Sequence, residues 1–375
     1  MLDTMGIIFA QSEGIRLGEL TRERSLSALP VAGRYRLIDF ILSNMVNSGI
    51  SNVGVTTSYN FQSLMDHVGG GLPWDLGRKK YGLFILPPFY KQNDKVLSAG
   101  DNKIEILHGI MHYIKRSRQR YVLLADSNVV CNMTFDEMMN LHQENRADIT
   151  VVYNELAENE VRSPNDVYLE TDDKNRITKI EPYSSITTLK KRAIGFYLMD
   201  CDLLENIVEN CMARGNIDLI KDSLMKNTAK LKIMGYKYDG YVKIINDING
   251  FYNFNMDLLT ADVRAELFEA KDKIYTKVKD RVPARYLEDS NVKNSFIADG
   301  CIINGEVEGS ILFRGVEIQK GCSVKNCVIM QDSKIMENSK VNHIIMDKQV
   351  IIDRNKNLCG DASFPIVIGK NRRIY

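Results

Sequence analysis

Over the first two-thirds of the chain, short unbroken apolar runs alternate with stretches whose apolar residues recur every three or four positions. The runs are Gly6–Ala10, Asn52–Thr57, Tyr121–Ala125, Ile149–Tyr153, Ala193–Met199 and Leu231–Tyr236. Rich in aliphatic and β-branched residues, they read as strands buried on both faces of a sheet. Between them, Arg36–Ser48 sets Leu37, Phe40, Ile41 and Met45 on one side of a helix. Asn102–Arg118 does the same with Ile106, Ile110, Tyr113 and Ile114, and its final Lys115, Arg116 and Arg118 suit a helix C-terminus. Thr134-Phe-Asp-Glu137 has the form of a capping box opening a helix through Leu141. Such alternation predicts an α/β domain with a mixed, mostly parallel sheet and ligands at the carboxyl ends of its strands. Residues 154–192 predict an antiparallel insertion. Tyr81–Asp94, with its Pro-Pro pair, predicts a loop over the sheet edge or at the mouth of a site.

The pattern then changes twice. Residues 256–285 are charged and helical in period, predicting a connecting helix that Pro283 stops. From Ser290 to Asp353 aliphatic residues recur every five or six positions, among them Val292, Ile297, Ile303, Ile311, Val324, Ile335, Val341 and Val350. Gly, Asn, Asp, Ser and Lys fill the gaps. This is the period of a hexapeptide β-helix; sandwich strands recur at roughly 8–12 residues. A β-helix exposes flat flanks, so oligomerisation through them is expected. The predicted units are residues 1–256, a linker at 257–287 and the β-helix at 288–375.

Composition narrows the chemistry. The 375 residues carry a net charge of +1, so no bulk charge attracts nucleic acid or an anionic membrane. No apolar run reaches the ~20 residues of a membrane span, and the N-terminus does not read as a signal peptide. The seven scattered cysteines form no CxxC pair and read as reduced thiols of a cytoplasmic protein. His108 and His112 lack the intervening Glu of a zinc-protease helix and read as a helix face. What remains is Met5–Ile50, where a strand, a Gly-containing polar loop (Gln11–Gly18) and basic residues leading into a helix form a receptor for phosphates.

The quoted stretch and the two-domain layout resemble the ADP-glucose pyrophosphorylases (glucose-1-phosphate adenylyltransferases). The sharpest motifs are Gly14-Ile-Arg16-Leu17-Gly-Glu-Leu20-Thr21-Arg22-Glu-Arg24, Gly33-Arg-Tyr-Arg-Leu-Ile-Asp-Phe40, and Leu42-Ser-Asn44 leading to Asn47-Ser-Gly-Ile50. The resemblance implies a Rossmann-like nucleotidyltransferase domain followed by a C-terminal left-handed parallel β-helix. It also implies a reaction, ATP plus glucose 1-phosphate giving ADP-glucose and diphosphate, that needs a nucleotide loop, cations on the phosphates and Mg²⁺ held by two aspartates.

The chain departs from that pattern where the chemistry sits. The family's Gly-Gly-x-Gly-x-Arg-Leu loop reads Gln11-Ser12-Glu13-Gly14-Ile15-Arg16-Leu17, so Gly14 and Arg16 remain as nucleotide-binding remnants. Arg-Ala-Lys-Pro has become Arg24-Ser25-Leu26-Ser27. Asp126, after Ala125, matches the first metal aspartate; the second has become Ile244, with Asp247 three positions late. Glu-Lys-Pro reads Ile180-Glu181-Pro182, and Ser-Met-Gly reads Ala193-Ile194-Gly195. The pattern is similar to the non-catalytic, regulatory (D-type) branch of the family. It implies vestigial Arg16 and Asp126, no metal site or cofactor of its own, and Mg²⁺ in an active partner subunit. It also implies a heterotetramer with that homologue, self-association when alone, and an anionic effector on Arg24, Arg34 and Arg36. Two other readings stand beside it: a working enzyme in which Lys243, Lys179 or Asp247 substitute for lost groups, and a module that binds nucleotide or sugar phosphate as a sensor.

Overall fold

The computed structural model describes residues 1, 3–10, 15, 17–57, 60–78, 80–87, 102–157, 160 and 162–375. Its first two-thirds is a sheet covered by helices on both faces. The strand Thr4–Phe9 lies centrally, parallel to Asn52–Thr56 on one side and to Tyr121–Asp126 on the other. Lys191–Asp200 runs antiparallel to Tyr121–Asp126 and pairs in turn with Ile149–Glu155, which Ile233–Lys237 joins in parallel. The expected insertion is the hairpin Val167–Thr171 and Ile177–Pro182, hung on Lys191–Asp200.

Alternation of side chains along each strand divides the core between two faces. Ile8, Val53, Val55, Leu123, Phe196 and Leu198 meet Ile38, Ile41, Leu42 and Met45 of the helix Leu37–Asn47. Ile7, Phe9, Val122, Leu124, Tyr197 and Met199 meet the helices Lys103–Gly109, Met111–Arg116 and Cys201–Ala213.

Four local expectations change. Gly82–Leu86, placed in a loop by its proline-rich sequel, is an edge strand parallel to Asn52–Thr56; residues 88–94 of that stretch lie outside the described residues. The single helix over Asn102–Arg118 is two, broken at Ile110 (φ −99°, ψ 7°) just after Gly109, a residue that weakens a helix interior by about 1 kcal/mol relative to Ala. The capping box does not form. The Phe135 N–H donates to Ser48 Oγ at 2.8 Å and the ring packs edge-on against Phe196, so the helix Asp136–Glu144 starts where tertiary contacts put it. The connecting helix ends at Glu269, after a wide turn Ala265–Glu269. The backbone beyond is claimed by the first domain: Tyr275 N–H donates to Ser43 Oγ at 2.8 Å, and Asn132 Nδ2 to the Asp272 carbonyl at 2.7 Å.

From Arg285 the chain winds through three parallel sheets, a left-handed β-helix. Val292, Val307, Val324, Val341 and Leu358 stack in register, a step of 15 and then 17 residues per coil. Asn326, Asn338 and Asn355 turn corners with φ between 50° and 59°, a left-handed conformation that Asn tolerates. One flank is not open, contrary to expectation. Ile311, Phe313, Val328, Met330 and Ile345 bury it against Leu29, Val31, Phe40, Phe251 and Phe254 of the first domain. At this seam Gly33 (φ +73°) faces Phe296, which a Cβ would meet at 3.0 Å.

The seam is also tied by charge. Both guanidinium nitrogens of Arg24 reach the Asp347 carboxylate, at 2.9 and 2.8 Å, and both side chains are buried. Removing one partner of a buried pair strands the other, at a typical loss of about 3–5 kcal/mol. Arg24→Ala should therefore lose about that much stability in urea denaturation, and the double variant Arg24→Met, Asp347→Leu should recover most of it. A single-variant loss below about 1 kcal/mol would place the pair among weak surface bridges.

Candidate functional site

Two concave regions carry the candidate chemistry. The first is a cleft of ≈ 200 Å³ at the carboxyl ends of the central strands, lined by Lys103, Asp126, Asn128, Asp166, Gly195, Asp218, Lys221, Ile244 and Asn246 among others. Asp126 closes its strand and points into it. Its carboxylate is engaged: Lys103 Nζ lies 2.8 Å from both oxygens. Lys103 opens the helix Lys103–Gly109, and its ammonium lies 5.2 Å from the centre of the Phe9 ring and 5.7 Å from that of Tyr197. Gly195 (φ +87°) makes room, since a Cβ there would stand 2.7 Å from Asp126 Oδ2.

Several other polar groups of the cleft are engaged within the chain. Asn128 Nδ2 donates to Asn246 Oδ1 at 2.9 Å, and Asn246 Nδ2 reaches Asp166 Oδ1 at 3.4 Å. Asp166 is buried and also accepts from Ser163 N–H and Tyr168 Oη; burial raises its pKa above the ordinary carboxylate range. Asp218 accepts from the N–H groups of Ile220 and Lys221.

The positions read as lost fall into place here. Ile244 presents an aliphatic wall to the cleft. Leu26 is buried in the seam cluster. Asp247 caps the helix Ile248–Asp257, accepting from Gly250 N–H at 2.6 Å. Lys243 pairs with Asp257 at 3.1 Å and Lys179 with Glu181 at 3.0 Å, so each candidate substitute has another engagement. Gly14 and Arg16 lie outside the described residues. A Mg²⁺ site needs two or more oxygen ligands at near-octahedral geometry. Among the described residues Asp126 is shared with an ammonium, an isoleucine stands in place of the second metal aspartate, and the cleft's other carboxylates already accept hydrogen bonds, Asp166 from Ser163, Tyr168 and Asn246 and Asp218 from the Ile220 and Lys221 N–H groups, so these residues do not fit the ion.

The second region is a cavity of ≈ 230 Å³ between the domains, where seven cations (Arg34, Arg36, Lys277, Lys279, Arg281, Arg314 and Lys348) meet one carboxylate, Asp332. Asp332 is paired with Arg281 at 3.0 Å. Arg36 is held by the Ser63 carbonyl and hydroxyl, both at 2.7 Å, and burial lowers its pKa to about 10. Arg34 lies over the Tyr35 ring. Arg314, only 7% exposed, has a buried Nε without a hydrogen-bond partner. Lys348 is pushed down to about 7, first by burial and then by Arg36 and Arg24. His67 lines the same cavity, bonds buried Asp39 at 2.6 Å and lies edge-on to buried Trp74.

Of the three expected anion binders, Arg34 and Arg36 therefore line this cavity, while Arg24 is committed to Asp347. The cations at 277–281, 314 and 348 come from the linker and the β-helix. Their one sequence signal is the interruption of the aliphatic repeat by charge at Arg314 and at Asp347-Lys348.

Comparison with known proteins gives two family matches: nucleotidyl transferase over residues 5–232, and a GlmU-like C-terminal hexapeptide over residues 282–363. The chain is 34% identical over 366 residues to the glycogen biosynthesis protein GlgD of Bacillus subtilis, covering 98% of this chain and 95% of that one. GlgD of Geobacillus stearothermophilus is 36% identical over 323 residues, 85% and 82% of the two chains. A glucose-1-phosphate adenylyltransferase of Clostridium perfringens is 32% identical over 338 residues, 89% and 86%.

The crowded cations make a pH prediction. Folding lowers the Lys348 pKa from the ordinary 10.5 to about 7. Between those values the unfolded chain binds more protons, so this group's contribution to stability rises with pH, and its penalty is fully present below about pH 7. Urea midpoints measured from pH 6 to 9 should rise more for the wild type than for Lys348→Met. Inorganic phosphate should shrink the difference. Parallel pH profiles for the two proteins would refute the assignment.

Proposed function

The chain belongs to the nucleotidyl transferase family, in the group that holds GlgD and the glucose-1-phosphate adenylyltransferases, and from that premise we propose that it is a regulatory, catalytically impaired subunit of glucose-1-phosphate adenylyltransferase in bacterial glycogen biosynthesis. It assembles with an active homologue into a heterotetramer, and the active subunit holds the Mg²⁺. The observation that carries this reading is the Lys103–Asp126 pair facing Ile244 in the cleft. An ammonium holds one metal carboxylate, and a hydrocarbon stands in for the other. Loss of groups that stabilise charge on transferring phosphates costs about 10²–10³ in rate each. The rival reading of a working enzyme would need Lys243, Lys179 or Asp247 to leave Asp257, Glu181 and a helix cap respectively.

The chain's own contribution to regulation is the inter-domain cavity. Seven cations against one paired carboxylate, with a buried unpartnered Nε on Arg314, favour an anionic effector there. Arg34 and Arg36 bind it together with Arg314 and Lys348; Arg24 supports the site by holding the two domains together. Among the described residues no helix is long and apolar enough to cross a membrane, which accords with a role beside cytoplasmic enzymes.

ADP-glucose formation decides the matter. The chain alone should turn over at least about a hundredfold more slowly than its active homologue. Mixing the two should raise the homologue's rate or shift its response to an anionic activator, and Arg314→Ala in this chain should weaken that shift. Robust turnover by this chain alone would overturn the reading.

A further inference from the structure

The cleft contains a feature that reaches beyond the replacement of the second metal aspartate by Ile244. The Lys103 ammonium meets both oxygens of Asp126 at 2.8 Å, the Phe9 ring and the Tyr197 ring. The pair is largely buried, with side-chain exposures of 16% and 15%. Each element beneath it is paired or packed. Phe9 and Asp126 end adjacent parallel strands in register, Tyr197 comes from the antiparallel neighbour, and Lys103 is the first residue of a packed helix. A glycine at 195 leaves the space that the carboxylate fills. This is a built site for one positive charge.

We propose that Lys103 is a metal-excluding residue, a tethered ammonium that occupies Asp126 and keeps divalent cations out of the cleft. The inference deepens the reading of the cleft given above and rests on it. A divalent ion must displace an ammonium that is part of the same chain, and tethering sets an effective concentration of order mM or higher. The ammonium also keeps the two ring faces, which a hydrated Mg²⁺ with its reluctant water shell cannot use as cheaply. With Ile244 in place of the second aspartate, and Asp166 and Asp218 already accepting hydrogen bonds, the freed Asp126 carboxylate returns little binding in exchange. On this view the loss of metal chemistry has two layers. A ligand has been deleted at 244, and the surviving ligand has been capped by a cation.

Mn²⁺ titration of the full chain, followed by electron paramagnetic resonance, tests the proposal. The wild type and Asp126→Asn should titrate identically, because Asp126 is already taken. Lys103→Met keeps an apolar stem between the rings and frees the carboxylate. It should bind Mn²⁺ at least tenfold more tightly than the wild type, and the added Asp126→Asn change should cancel the gain. The idea falls if Asp126→Asn weakens Mn²⁺ binding in the wild-type background, or if Lys103→Met gains nothing. The Asp126→Asn comparison keeps the test intact should the Lys103 variant fold poorly. Because this experiment reads binding by the chain alone, its failure leaves the mixed-subunit activity result standing, and a failed mixing assay leaves this one.

Discussion

The seam between the α/β domain and the β-helix is the constraint on which the rest depends. Phe40, Phe251 and Phe254 from one side and Phe313, Val328 and Met330 from the other share one dry cluster. Apolar burial supplies the non-directional drive. It cannot fix how two flat surfaces are turned relative to each other. The Arg24–Asp347 fork supplies that orientation, since two parallel hydrogen bonds inside a buried contact tolerate little rotation. With the orientation fixed, cations from the segment leading into the helix Leu37–Asn47, from the linker and from two coils of the β-helix converge on one small volume. Left to themselves these charges repel. They can be gathered only because the hydrophobic seam and the ion pair outweigh the repulsion.

The two concave regions thus treat charge in opposite ways. In the cleft the charged and amide groups at its centre are engaged within the chain, Asp126 by Lys103 and Asn128, Asn246 and Asp166 by one another. A ligand entering there must break existing bonds. In the inter-domain cavity the cations outnumber their carboxylate, and burial first, with neighbouring cations adding to it, depresses the basicity of Lys348, Arg36 and Lys279. An anion entering there relieves a standing penalty. Under the proposed function, this contrast is what would let a nucleotidyltransferase scaffold lose its reaction and still answer to small anions.

Much of this was legible in the sequence, for definite reasons. The strands were legible because they are buried on both faces, which forces unbroken apolar runs. The β-helix was legible because Val307, Val324 and Val341 recur at the coil repeat. The departures from the family's motifs were legible because Leu26 and Ile244 are different in kind from a lysine and an aspartate. Contacts between distant segments were not. Lys103 lies 23 residues from Asp126 and Arg24 lies 323 from Asp347, with no local pattern joining either pair. The same blindness produced the local errors. Thr134-Phe-Asp-Glu137 obeys the rule for a helix start, yet the burial of Phe135 and the hydrogen bond its N–H donates to Ser48 decide the matter. Arg24 looked like Arg34 and Arg36 because a sequence does not record which guanidinium is already filled.

Trp74 gives the basic cavity an optical reporter. It is the only tryptophan in the chain, it is buried, and its ring centre lies 6.0 Å from that of His67, which lines the cavity. An imidazole that gains a proton beside an indole quenches its emission. Charge entering or leaving this cavity therefore registers in the intrinsic fluorescence of the unlabelled protein, free of any other indole signal.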